Sequence, residues 1–233
     1  QAAKLFPESA IVTNGTYGIP SLPGHLVTVS LDGPMALNDP IRGEGVFAKV
    51  REAIFARDAN DGTTVMLQMA VTRENAPGLE DFMAEVADWP INGVAFAFYV
   101  PTVNDSSGQD WPDLRERDEV LDRVIALKRQ YPDIIRSRIA TLELMKSDVA
   151  VETTGKHGEN CVLRRDTQPL YMGTGGQFET PFCCYGNDVD CSRCGSYEVF
   201  NRAYLASQGQ DKGARYGRDG AAGVAAIVET AAE

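Results

Sequence analysis

Histidine is almost missing from this sequence. His25 and His157 are the only two in 233 residues, so sites built on several imidazole ligands are nearly excluded and any bound metal must rely mainly on sulfur. Long apolar runs are missing too: no stretch of about 18 apolar residues is present to span a bilayer, and the start lacks the basic-then-apolar order of a secretory signal. A cytoplasmic location without a membrane partner is the expectation. Basic residues are few, 22 Lys and Arg against 33 Asp and Glu, and the formal charge of −11 repels a phosphate backbone unless the basic residues cluster. The one dense patch, Lys128-Arg129-Gln130 with Arg136 and Arg138, reads as a solvated helix face. Nucleic acid is therefore not expected as a partner, and a small molecule or peptide is.

Hydrophobic residues make up 43% of the chain, enough for one large core or two modest ones. Strand and helix signals alternate over the first hundred residues, which predicts parallel βα units. Strands are expected at 10–13, 26–31, 64–72 and 93–100, each ending at a polar or Gly/Pro corner. Between the second and third, Val46, Phe47, Val50 and Ile54 recur at helical spacing; between the third and fourth, Leu79, Phe82, Met83 and Val86 do the same behind Pro77. The link 17–24 is too short for an ordinary helix. Farther on, Asp113 with Glu116 marks a helix start, and a second helix is expected over about 133–146. Residues 149–207 form a separate Gly-, Thr- and Cys-rich module, with strand-like pieces around Val162 and Leu170 and a helix over 197–206. The tail, 208–233, has few bulky residues and a weak helix signal from Ala221.

Period-two reading separates the strand faces. Val27, Val29 and Leu31, with Val65, Leu67, Met69 and Val71, form the helix-facing set, leaving Thr28, Ser30, Asp32, Gln68 and Thr72 on the other. This polar face is either the interior of a barrel, with Ser30 and Asp32 at the strand ends where barrels place ligands, or the solvated face of an open sheet. Arg42 can reach a ligand carboxylate with its two-pronged guanidinium, or be a surface loop charge.

All five cysteines, Cys161, Cys183, Cys184, Cys191 and Cys194, lie within 34 residues. Cys191-x-x-Cys194 presents two thiolates from one tight turn, and Gly195 lets the backbone curl around a metal. Cys161 and one of Cys183 or Cys184 complete a four-sulfur shell; adjacent cysteines point different ways, so the other is a spare packed as a small hydrophobe. The odd count and the lack of a secretory signal argue against a disulfide framework. Spacing leaves structural zinc and an iron–sulfur cluster even.

Together, the segments Thr13-Asn14-Gly15, Val29-Ser30-Leu31-Asp32-Gly33-Pro34, Asp39-Pro40-Ile41-Arg42-Gly43-Glu44-Gly45-Val46-Phe47, Val71-Thr72-Arg73-Glu74-Asn75 and the cysteine series resemble the radical S-adenosylmethionine superfamily, in its members with a SPASM- or twitch-like auxiliary-cluster module. The resemblance covers most of the chain. It implies an α/β fold, a partial (β/α)6-type TIM barrel represented by its C-terminal strands over 1–148, followed by a small cysteine-rich α+β module. It also implies S-adenosylmethionine bound by Ser30, Asp32, Arg42, Thr13, Asn14 and Gln68, with Arg42 meeting the cofactor's carboxylate. The cysteines would hold an auxiliary [4Fe–4S] cluster that serves electron transfer or structure, an electron donor being a possible partner.

The departures are large. The Cys-x3-Cys-x2-Cys motif that holds the initiating cluster in this superfamily is absent, as is its Gly-Gly-Glu-Pro segment. The chain then reads as a fragment beginning near the third barrel strand, unable to start radical chemistry alone, with the remainder encoded upstream or supplied by another polypeptide. No catalytic residue is assigned. The alternative is a non-catalytic, barrel-derived binding protein with a structural four-cysteine zinc site.

Overall fold

The computed structural model describes residues 9–209; the helix signal at Ala221 lies outside them. Strands β1 (Ala10–Thr13), β2 (Leu26–Ser30), β3 (Thr64–Val71) and β4 (Gly93–Phe98) form one parallel sheet in the order 1-2-3-4. Each strand therefore lies beside its sequence neighbour, with Thr13 next to Val29, Ser30 next to Gln68 and Val71 next to Phe98. Helices α1 (Met35–Arg42) and α2 (Val46–Ala56) join β2 to β3, α3 (Leu79–Val86) joins β3 to β4, and α4 (Leu114–Gln130) follows β4. The β1–β2 link has no helix; it turns at Gly15, whose φ of +70° suits glycine and where a Cβ would lie 2.8 Å from Val29 Cγ1.

Alternation decides which side holds the core. Val27, Val29, Leu31, Val65, Leu67, Met69 and Val71 are completely buried against Phe47, Val50 and Ile54 of α2 and Leu79, Phe82, Met83 and Val86 of α3. Each such side chain contributes roughly 1.5–3 kcal/mol by leaving water, far more than local helix or strand preference. In β4 the alternation buries Val94, Phe96 and Phe98 and leaves the small Ala95 and Ala97 on the opposite face.

The second half departs from the expected elements. Residues 132–134 form a turn, Ile135 bridges to Val94 of β4, and only Ile139–Leu144 (α5) is helical. The cause is the free edge of β4: the Val94 N–H donates to the Ile134 carbonyl at 2.8 Å, the Arg136 N–H to the Val94 carbonyl at 2.8 Å and the Phe96 N–H to Ser137 Oγ at 3.2 Å. Backbone groups at a buried edge need partners, and this demand overrides the helical pattern. Arg136 and Arg138 consequently leave the solvated helix face expected for them. Helix α6 (Ser147–Thr154) runs through the expected module boundary at 148. The strand-like piece at Val162 is a short helix, α7 (Val162–Asp166), with Leu163 buried. β5 (Tyr171–Met172) and β6 (Phe178–Glu179) form an antiparallel hairpin, and α8 (Tyr197–Ser207) closes the described chain. No helix among the described residues is long and apolar enough to cross a membrane.

The C-terminal ends of β2 and β3 are tied by the fully buried Asn75. Its Nδ2 donates to the Asp32 carbonyl at 3.1 Å and the Ala70 carbonyl at 2.9 Å, and its Oδ1 accepts from the Thr72 N–H at 2.7 Å. Asn75→Ala strands these groups and should cost about 2–4 kcal/mol, read as a lower urea midpoint. An unchanged midpoint would contradict this role.

Candidate functional site

Two polar constellations sit at the C-terminal edge of the sheet. In the first, Asp32 is 4% exposed; its Oδ1 accepts from the Ala70 N–H at 2.9 Å and its Oδ2 lies 2.6 Å from Arg42 Nε. The Arg42 contact is an ion pair without hydrogen-bond geometry, since Nε has no hydrogen-bond partner among the described residues. Arg42 thus stands on the last turn of α1, not in a loop. Its helix was not expected because Pro40 interrupts the pattern, but the buried Asn38 fixes the turn by accepting from the Asp32 N–H at 2.9 Å. Asp39 ties α1 to α2 by accepting from the Gly45 and Phe47 N–H groups at 2.8 and 2.9 Å. Burial pushes the Asp39 carboxyl up, but hydrogen bonds from Phe47, Asn38 and Gly45 outweigh it and hold it below its ordinary value.

Of the other expected cofactor residues, Thr13 Oγ1 accepts from the Gly15 N–H and Asn14 Oδ1 from the Thr16 N–H and hydroxyl, so both shape their own turn. Ser30 is half-buried beside Gln68. Gln68 and Thr28 line a cavity of about 300 Å³ on the inner face of the sheet, opened by Ala95 and Ala97 and roofed by Tyr185, Ser196 and the α8 residues Tyr197, Glu198 and Asn201. Over Thr28 and Gln68 the polar face is therefore covered by protein and encloses space, while Val12 of β1 on the same face stays exposed. Arg138 joins roof to wall: its N–H donates to the Tyr197 hydroxyl and its Nη1 to Asn201 Oδ1, both at 2.7 Å.

The second constellation is the cysteine loop. Asp190 caps the turn Cys191–Arg193, accepting from the Ser192 N–H at 3.0 Å, and Arg193 pairs with Asp190 at 2.9 Å and with Asp110. The loop docks on the strand ends: the Phe98 N–H donates to the Gly195 carbonyl and the Asp190 N–H to the Pro101 carbonyl. Gly195 serves this docking, since a Cβ there would lie 2.2 Å from the Tyr99 carbonyl oxygen and 2.6 Å from that of Phe98. Close approach to β4 is thus a reason for glycine at 195 that the sequence did not offer.

All five cysteines are free thiols. Burial pushes Cys194 up to about 12 and Cys191 up to about 11, and in both cases the thiols of Cys161 and Cys183 raise it further. Cys183 is also raised, first by burial and then by Cys184 and Cys161 against an opposing backbone hydrogen bond from Tyr185. The thiols thus lie in one neighbourhood, Cys161 and Cys183 acting on Cys191 and Cys194, and Cys184 acting on Cys183. Cys161 and Cys184 both pack against the apolar core. Among the described residues no three His, Cys, Asp or Glu side chains converge on one point as a single metal ion requires.

One cation is buried beside the cysteine loop. Arg117 of α4 is 1% exposed and hydrogen-bonds the Cys194 carbonyl at 2.9 Å, with its buried Nε lacking a hydrogen-bond partner among the described residues. At Gly158 a Cβ would sit 3.0 Å from Cys191 Sγ, so glycine keeps the space beside that thiol open. The sequence reading missed Arg117, although it continues the buried stripe of Val120, Leu121 and Val124 at helical spacing. Comparison of the chain with known protein families, curated proteins and solved structures finds no match.

Two predictions follow from the thiols' environment. After anaerobic loading with iron and sulfide, Cys183→Ser should lose most of the bound iron and Cys184→Ser should retain it; the reverse order would contradict the assignment. In the metal-free protein, the folded pKa values of Cys191 and Cys194 lie above the ordinary value of 9.0. Their contribution to stability is full below about pH 9 and is lost as pH rises through about 11 to 12, because only the unfolded chain releases these protons early. The melting temperature of the metal-free protein should fall across that window more steeply than that of Cys194→Ala. Equal slopes would contradict the account.

Proposed function

We propose that this chain is part of a radical S-adenosylmethionine enzyme. In this reading β1 to β4 act as consecutive strands of a partial (β/α)6 barrel that binds S-adenosylmethionine at their C-terminal ends, and Cys161, Cys183, Cys191 and Cys194 hold an auxiliary [4Fe–4S] cluster. The observation that carries the reading is the pairing of Asp32 with Arg42 at the end of β2, on the same sheet edge where the cysteine loop docks through Gly195 and Phe98. The strand order 1-2-3-4 supports a barrel, because a doubly wound sheet reverses its order and this one does not.

Each residue has a defined task. Asp32 holds Arg42 in place, and the Arg42 Nη groups, on a side chain 25% exposed, remain available to a carboxylate. Ser30 offers a hydroxyl beside that point. The cavity walled by Thr28 and Gln68 and roofed by α8 accepts the substrate, a small molecule or a peptide side chain, and shields it from water. Bound to its four thiolates, the auxiliary cluster supplies a one-electron redox couple fed by an electron donor. The sequence has no Cys-x3-Cys-x2-Cys motif, so in this reading the initiating cluster is held by residues outside it.

The test uses the full open reading frame that encodes this chain, assayed anaerobically with a reductant for 5′-deoxyadenosine. Arg42→Gln should raise the KM for S-adenosylmethionine about tenfold or more, the worth of a hydrogen bond between charged groups, with iron content unchanged. No 5′-deoxyadenosine under any reducing condition would reject the enzymatic reading.

A further inference from the structure

On the inner face of the sheet, residues two apart along each strand make the floor of the cavity. Leu26 and Thr64 stand at its N-terminal end, Thr28 and Met66 come next, and Gln68 with Ala95 lies beyond them. The floor therefore runs about 13 Å along the strands. Most of the lining is apolar, and Tyr185 and Tyr197 belong to the roof. Thr28 is 8% exposed, and neither its hydroxyl nor the Gln68 amide has a hydrogen-bond partner among the described residues. Polar groups left open in an otherwise apolar wall are where a ligand's own polar atoms are held.

The charge beside this apolar space is cationic. Arg136 lies across the start of β4, where a Cβ at Gly93 would come 2.5 Å from its Cγ. Its Nε and Nη2 both donate to the Asn92 carbonyl, at 2.9 and 2.6 Å. That grip fixes the guanidinium beside the exposed Asn92, at the N-terminal end of the cavity, and leaves Nη1 without a hydrogen bond to the described residues. No ion pair joins Arg136 to a carboxylate among them. Lys128 adds a nearby cation: burial first and then the Arg136 charge push its pKa down, against the exposed Asp133, which raises it. Arg138 brings a second guanidinium to the cavity wall, held to Asn201. Glu198, the one carboxylate among the described residues that line the cavity, is exposed and paired with Arg202 at 2.7 Å. In a chain of net charge −11, this local excess of cations selects for an anion.

We propose that the cavity binds a small carboxylic acid with an apolar, ring-sized body. Arg136 holds the carboxylate at the N-terminal end of the strands, and the body lies over Met66, Ala95 and Ala97. The proposal rests on the reading of this cavity as the substrate site and names the class of substrate. A volume of about 300 Å³ is at the small end of ligand sites, which suits one ring with a short chain. The alanines leave room for that ring under the roof, and Thr28 and Gln68 offer hydrogen bonds to a polar substituent on it. A guanidinium gripped through Nε and Nη2 presents Nη1 to a carboxylate oxygen in a charge-assisted hydrogen bond. A neutral analogue fills the same apolar space without that bond, so the difference in affinity between acid and alcohol reads the contribution of Arg136.

The experiment is isothermal titration calorimetry of the 233-residue chain with hydrocinnamate and with the neutral hydrocinnamyl alcohol, in the absence of any cofactor. The acid should bind about tenfold or more tightly than the alcohol. Arg136→Gln should lose that preference, weakening the acid about tenfold and leaving the alcohol within about threefold of wild type. Ala95→Leu, which fills the floor and leaves Arg136 in place, should lose both compounds. The proposal is overturned if wild type binds neither compound or binds both equally, if Arg136→Gln keeps the preference, or if Ala95→Leu binds as wild type does. Should Arg136→Gln not fold, the Arg136 Nε–H resonance of the wild-type chain is read instead: the acid should shift it and the alcohol should not, and an equal response to both overturns the proposal. Because no turnover is measured, the two readings fail separately. Acid binding without 5′-deoxyadenosine formation rejects the enzymatic reading alone, and 5′-deoxyadenosine formation without an acid preference rejects this proposal alone.

Discussion

A parallel sheet has two faces to cover, and here they are covered by different means. One face is closed by local βα units, whose buried valines, leucines and methionines alternate along β2 and β3 and meet α2 and α3. The other carries Thr28, Gln68, Ala95 and Ala97, too polar and too small to fill a core, and is covered only when α8 folds back over it. That return is tied at two places, Gly195 against the ends of Phe98 and Tyr99 and Arg138 against Tyr197 and Asn201. The cysteine loop, the roof of the cavity and the protection of the inner sheet face are thus parts of one arrangement, and a side chain at 195 would disturb all three.

Electrostatics divides the C-terminal edge of the sheet into two regions. At β2 a buried carboxylate holds an arginine that is still partly open to solvent, the pattern of a site prepared for an anionic group. At β4 the buried thiol of Cys194 sits near the Arg117 guanidinium, and burial outweighs that cation in raising its pKa. The second region resists ionisation on its own and favours it when metal is bound, since metal binding and thiol deprotonation are linked.

Much of this was legible in the sequence. The four strands and the identity of their two faces follow from period-two alternation, and the clustering of the cysteines pointed to one neighbourhood. What was hidden depends on distant partners. The bridge of Ile135 to Val94 is set by the bare edge of β4, which no local pattern reveals. Helix α1 survives Pro40 because Asn38 is anchored to Asp32. Arg117 reads as an ordinary helix charge until Cys194, 77 residues later, is placed against it.

The central claim is that Cys161, Cys183, Cys191 and Cys194 hold an iron–sulfur cluster. Iron K-edge X-ray absorption of the anaerobically reconstituted wild-type chain tests it directly. The account predicts sulfur neighbours at each iron together with a short iron–iron distance, at about four irons per chain. Iron without an iron–iron neighbour, or tight zinc in a four-sulfur shell that excludes iron, would contradict it.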